Sequence, residues 1–296
     1  MDERLFARLA SWLDDEPVVL ISVIETRGAT PRKRGARMLI GAKDSAFSVG
    51  GGLLEARVID DARSLLRSGD DQRIVEIDLG GGPDAAGICG GRMRLALRRW
   101  QGGADRPRAE QIAALLASGQ RVALTAKDLG APLTDEFAMP EPRLLIVGAG
   151  HCGEALYRLA RQAGFDVRVH DERSDCFDGA GYESAHTLQG CMSRLSEALD
   201  TERPVYAVLL NRDFHADVAA LDLLCRHPLA FLGMMGSRRR ITTVCEALPQ
   251  HAAALEALIA PVGLDIGAQT PEEIAISILA QLIAVRSGQS GPLAVG

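Results

Sequence analysis

Hydrophobic positions in this chain repeat with two different periods, and the change from one to the other divides it. Leu5, Leu9, Trp12 and Leu13 share one side of a helix predicted over Glu3–Leu13, followed by a β-branched run at Pro17–Glu25 that reads as a strand. Further strands are predicted at Ala36–Ile40 and Ser45–Val49. A helix over Leu53–Leu66 carries Leu54, Val58, Ala62 and Leu65 at helical spacing. Strands at Ile74–Leu79 and Arg92–Arg98 close this first region. Beyond it the pattern loosens, with a helix at Arg108–Ala117, a strand at Val122–Thr125 and four prolines before residue 143.

From Leu144 the rhythm is regular. Apolar strands at Leu144–Val147, Val167–Val169, Val205–Leu210 and Leu229–Leu232 alternate with helices starting near Gly150, Cys191, His215 and Ser237. Wholly apolar strands separated by helices indicate a parallel sheet covered on both faces. The last helix is marked by Thr270 as N-cap, Pro271 at its first position and Glu273 completing a capping box. The expected fold is therefore α/β. It comprises an N-terminal α+β domain over residues 1–100, a connecting segment over 101–142, and a Rossmann-like, doubly wound parallel sheet over 143–296.

Composition narrows the classes. The chain has 296 residues, 47% of them hydrophobic, and no apolar run approaches the ~18 residues of a membrane span. Its start, Met1-Asp2-Glu3-Arg4, lacks the basic and apolar regions of a signal peptide, so a cytoplasmic protein is expected. A net charge of −6 argues against a nucleic-acid-binding role. Six cysteines without a C-x-x-C pair read as reduced thiols rather than a disulfide framework.

Candidate chemistry lies in four glycine-rich or basic stretches. Gly148, Gly150 and Gly153 have the G-x-G-x-x-G spacing between a strand and a helix, and Asp171 stands where an acidic residue grips a nucleotide ribose. His151 lies inside that turn. The loop Gly28–Arg37 groups Arg32, Lys33, Arg34 and Arg37 beside two glycines, which suits a phosphate and equally suits a solvated turn. Gly50, Gly51 and Gly52 precede a helix and form a second anion-binding N-terminus. Glu55, in that helix's first turn, either complements the helix dipole or faces a ligand above the glycines. Cys89, followed by Gly90 and Gly91, has little to pack against and is the thiol best placed to meet a soft metal. No catalytic triad or metal-protease motif is present, and no histidine is tied to a catalytic partner.

Taken in order, these motifs resemble the XdhC/CoxI family, accessory proteins of xanthine dehydrogenase and related molybdenum hydroxylases. The resemblance is carried by Thr26–Arg32 with Gly35–Met38, by Val49–Glu55 and by Ile88–Gly91. In the second half it is carried by Gly148–His151 with Asp171–Arg173, by Gly233–Arg238 and by Gly263–Ser277. It implies a cytoplasmic homodimer that binds molybdenum cofactor (molybdopterin) and presents it to a cysteine desulfurase for exchange of an oxo for a sulfido ligand. The loaded cofactor then passes to apo xanthine dehydrogenase or a related hydroxylase. Arg32, Arg34, Gly50–Gly52, Glu55 and Cys89–Gly91 become cofactor-binding candidates, with Cys89 the metal ligand. Three positions depart from the family pattern: Ala29 for serine, Cys152 for an aliphatic residue and Arg212 for histidine. The competing reading is an NAD(P)-dependent oxidoreductase using Gly148, Gly150, Gly153 and Asp171, with a ligand-free docking protein as a third.

Overall fold

The computed structural model describes residues 2–81, 87, 90–132, 136–178 and 181–288. The chain divides into two compact units, Met1–Pro140 and Glu141–Gly296.

The first unit is built on an antiparallel sheet. Its elements are helix α1 (Asp2–Trp12), strands β1 (Val18–Arg27), β2 (Arg37–Ile40) and β3 (Ser45–Phe47), helix α2 (Gly52–Ser68), and strands β4 (Gln72–Asp78) and β5 (Arg92–Trp100). The strand order is β3-β2-β1-β5-β4, with β1 and β5 at the centre. Residues 18–24 of β1 are all buried, because helices cover both faces of the sheet. Odd-numbered Val19, Ile21 and Val23 meet Leu54, Val58, Ala62 and Leu65 of α2. Even-numbered Val18 and Leu20 meet Leu5, Phe6 and Leu9 of α1.

Residues 101–140 are not the connecting segment that their composition suggests. Gly102–Ala117 forms helix α3, and its Ala109, Ile112 and Leu116 are buried in the same core as α1. Strand β6 (Val122–Ala123), helix α4 (Ala126–Leu129) and strand β7 (Phe137–Ala138) complete the unit. Gly102, Gly103 and Pro107 disguise the start of α3 in sequence, since all three are poor helix formers. Asp105 compensates: it accepts the Gln101 N–H at 2.9 Å and pairs with buried Arg98 at 3.2 Å.

The second unit contains β8 (Arg143–Val147), α5 (His151–Gln162), β9 (Asp166–Asp171), β10 (Thr187–Gln189), α6 (Ser193–Leu199), β11 (Val205–Leu209), α7 (Phe214–Leu224), β12 (Phe231–Met234), α8 (Arg238–Glu246), α9 (Ala252–Leu255) and α10 (Pro271–Arg286). All strand pairs are parallel, in the order β10-β9-β8-β11-β12. The order reverses at β8, so a crevice opens beyond its carboxyl end, where ligands of such sheets bind. Helices α5 and α10 cover one face through Leu156, Ala160, Ile278 and Leu282. Helices α6, α7 and α8 cover the other through Leu195, Leu221 and Val244. The capping box at Thr270 and Glu273 forms as expected. Among the described residues, no helix is long and apolar enough to cross a membrane.

Candidate functional site

Pairing of β1 with β5 places the basic loop beside the second glycine loop. Arg27 lies opposite Arg92, so the chain leaving β1 runs directly against the chain entering β5. An ideal Cβ on Gly91 would lie 2.2 Å from the Ala29 carbonyl oxygen and 2.7 Å from that of Arg27. Gly28, at φ +67°, leaves only 3.0 Å between such a Cβ and the Gly90 carbonyl oxygen. On its other side the basic loop touches the glycine triplet, where a Cβ on Gly50 would meet Pro31 Cγ at 2.7 Å. The basic loop therefore touches two segments remote from it in sequence, Gly90–Gly91 at its start and Gly50, just before α2, at Pro31.

The glycines at this junction do two different jobs. Gly28 and Gly91 allow backbones to approach one another, and Gly50 makes room for the Pro31 ring. Gly51, Gly52 and Gly90 face open space, with nothing within 4 Å of an added Cβ, and all three have positive φ (+76°, +61° and +79°). At these three positions the backbone is bare of any covering side chain or neighbouring chain. The α2 N-cap, Gly51, offers no side-chain cap, so the first-turn N–H groups of Gly52, Leu53 and Leu54 remain for a ligand or water. Leu53 is 73% exposed beside them.

Glu55 turns inward. Its carboxylate accepts the Gly51 N–H at 3.0 Å and the Ser48 hydroxyl at 2.6 Å, and the Ser48 oxygen accepts the Gly50 N–H at 3.2 Å. It thus complements the helix dipole while holding the glycine triplet in shape. Ser48 belongs to no motif that marks it in sequence.

The four cations of the basic loop are also unequal. Buried Arg37 donates to Asp2 at 2.7 Å and to Glu136 at 3.4 Å. Arg34 donates to the other oxygen of Glu136 at 2.5 Å. Arg32 and Lys33 are exposed and form no ion pair with any described residue. Cys89, the expected metal ligand, lies outside the described residues. No cluster of three or more histidine, cysteine or acidic residues that could hold a metal occurs among the described residues.

In the second unit the glycine turn divides its labour similarly. A Cβ on Gly153 would sit 2.2 Å from the Gly148 carbonyl oxygen, and one on Gly148 would sit 2.9 Å from Asn211 Oδ1. Of the three fingerprint glycines, Gly150 alone has open space; it is the N-cap of α5, and exposed His151 follows it. Asp171 is the last residue of β9, and protein donors occupy both of its oxygens. Oδ2 accepts from the Ala149 N–H and from Arg173 Nη2, and Oδ1 accepts from the Arg173 N–H and Nε. Burial by itself raises a carboxyl pKa, but these four donors outweigh it and hold Asp171 at about 2. Tyr182 donates to the Ala149 carbonyl and closes over Gly153, its phenol pushed up by burial. Neither Tyr182 nor the Arg173 clasp is legible as a site feature in the sequence.

Comparison with known proteins follows the same division. Residues 144–282 match the XdhC Rossmann domain, and residues 11–78 match the XdhC and CoxI family. The chain belongs to the XdhC/CoxI family. Relatives of this family include YqeB of Escherichia coli, an uncharacterized protein 31% identical over 94% of this chain and 45% of its own length. A probable xanthine dehydrogenase subunit of Bacillus subtilis is 31% identical over 50% of this chain and 44% of its own length. The matched stretches thus cover less than half the length of these two relatives. The molybdenum cofactor insertion chaperone PaoD of E. coli is 26% identical over 97% of this chain and 90% of its own length. In fold, the chain is similar to a crystal structure of a xanthine dehydrogenase from Bacillus halodurans. The TM-score is 0.78 at 24% identity, covering 99% of this chain and 98% of that one.

Proposed function

We propose that this protein carries molybdenum cofactor, supports its sulfuration by a cysteine desulfurase and delivers it to apo xanthine dehydrogenase or a related molybdenum hydroxylase. We place the cofactor in the first unit. The observation that carries this is that the basic loop touches both glycine segments, where Gly51, Gly52 and Gly90 leave open backbone, and carries exposed Arg32 and Lys33 with no ion-pair partner among the described residues.

The fit is chemical. The phosphate of the cofactor suits a helix N-terminus and two uncommitted cations. Exposed Leu53 offers an apolar contact for a flat ring system. Cys89, from the same loop as Gly90, is the thiol that this reading sets against the metal. The site binds and releases its cargo without needing to transform it, in keeping with a sequence that shows no catalytic triad. The name of PaoD supports the cofactor, and that of the B. subtilis relative supports the client.

The test is to purify the protein from cells with an intact cofactor pathway and measure molybdenum and oxidised-pterin fluorescence. Pterin bound near equimolar amounts is expected. Arg32→Glu should lower it severalfold without moving the melting temperature, and Cys89→Ala should lower retained molybdenum. Wild-type protein free of both pterin and metal would refute the reading.

A further inference from the structure

The pairing of Arg34 with Glu136 sits oddly with a loop that is meant to hold an anion. Glu136 lies 102 residues away in sequence, yet its carboxylate takes both of the arginines that this loop does not leave free. The two are held differently. Arg37 is fixed: its side chain is 3% exposed on β2, and it bonds Asp2, whose second oxygen accepts the Met139 N–H at 3.0 Å. Arg34 is 52% exposed, and Glu136 is its partner among the described residues. Between them stands Gly35, at φ +89° with nothing within 4 Å of its Cβ position. The Gly35 N–H donates to the Val23 carbonyl and the Ala36 carbonyl accepts the Val23 N–H, both at 2.9 Å, so the backbone after Arg34 is tied to β1 and only the exposed Arg34 side chain is free to change partner.

Arg34 is also within reach of the bare glycines. Pro31, three residues earlier, packs on Gly50, so at most about 10 Å of chain separates Arg34 from that contact. Glu136 loses little if Arg34 leaves, because Arg37 still occupies its other oxygen.

Resting on the reading that this unit carries molybdenum cofactor, we propose that Glu136 keeps Arg34 in reserve and exchanges it with the phosphate of the incoming cofactor. Capture recruits Arg34 from a carboxylate to a phosphate, and release returns it. Neither state leaves a guanidinium unpaired, so the affinity reflects only the difference between two ion pairs. A carrier that must let go of its cargo needs that moderation.

The test uses the full-length protein and inorganic pyrophosphate as probe, at fixed ionic strength. Glu136→Gln keeps the shape and releases Arg34, and should bind pyrophosphate roughly two- to fivefold more tightly than wild type. In an Arg34→Gln background that gain should vanish, since the acid then has no movable partner to withhold. An equal gain in both backgrounds would mean that Glu136 acts only through space, and would overturn the proposal. So would no gain, or no pyrophosphate binding by either protein. If Glu136→Gln fails to fold, single variants decide: Arg32→Gln should weaken binding more than Arg34→Gln, and the reverse order refutes the exchange. A protein that shows this cycle but purifies without pterin would keep the exchange and lose the cofactor reading.

Discussion

Gly91→Ala is a sharp probe of how the first unit is put together. Gly91 does not need a left-handed backbone. It is glycine because a Cβ there would lie 2.2 Å from one carbonyl oxygen and 2.7 Å from another, both on the strand-end backbone opposite. Relief requires a movement of about 1 Å between two central strands, and no flexible side chain is available to absorb it. Forcing an extra methyl into such a contact costs about 1–3 kcal/mol, which for a unit of this size lowers the melting temperature by roughly 3–10 °C. Gly90→Ala, one residue away, meets nothing within 4 Å and carries only the strain of φ +79°, about 1 kcal/mol. The assay is tryptophan fluorescence during thermal or urea unfolding. Both tryptophans, Trp12 and Trp100, belong to the first unit, so the signal reports the unit that is perturbed. Gly91→Ala should be clearly the less stable variant. Equal stabilities, or the opposite order, would show that the close approach of the loops does not govern this position.

Two further outcomes follow from the second unit. The Asp171 carboxyl titrates at about 2 in the folded chain, below its ordinary ~3.9. It therefore contributes about 2 kcal/mol that is fully present above about pH 5 and is lost as the pH falls toward 2. Asp171→Asn should lower stability at neutral pH and flatten the acid side of a stability–pH profile measured by circular dichroism, and an unchanged slope counts against the clasp. Cys191 is exposed, and the hydroxyl and N–H of Ser193 lower its pKa, whereas burial raises those of Cys152, Cys176, Cys225 and Cys245. Iodoacetamide at neutral pH should modify Cys191 first among these five, and Ser193→Ala should slow it; mass spectrometry showing Cys152 ahead of it would contradict this.

What can be read from the sequence follows the range of the interactions. The glycine turn at 148–153 and the capping box at Thr270 are written within a few residues of one another, and both form as expected. Strand β10 leaves no pattern because it has three residues, with only Leu188 buried. The start of α3 is hidden by Gly102, Gly103 and Pro107, whose poor propensity is overridden by packing against α1. At the candidate site, residue type suggests the glycines and the cations but not their division of labour. Whether a glycine serves a ligand or a neighbouring backbone depends on what lies opposite it, as Gly90 and Gly91 show. Glu136 has no signal at all, since its role exists only once residues 34 and 136 are brought together.

The central pairing of β1 with β5 has a consequence for the order in which this protein becomes competent. Strand β1 ends at residue 27 and β5 begins at residue 92, so the ribosome must extrude most of the first unit before these strands can join. Until they do, the basic loop has no Gly91 to lie against, and Glu136 has yet to be synthesised. Pairings this distant form late, because chain entropy opposes them until neighbouring contacts are in place. A nascent or partly unfolded chain therefore lacks the close approach of Gly91 to the carbonyls of Arg27 and Ala29. The junction of the basic loop with Gly90 and Gly91 is thus a late product of folding, made only when the two central strands pair.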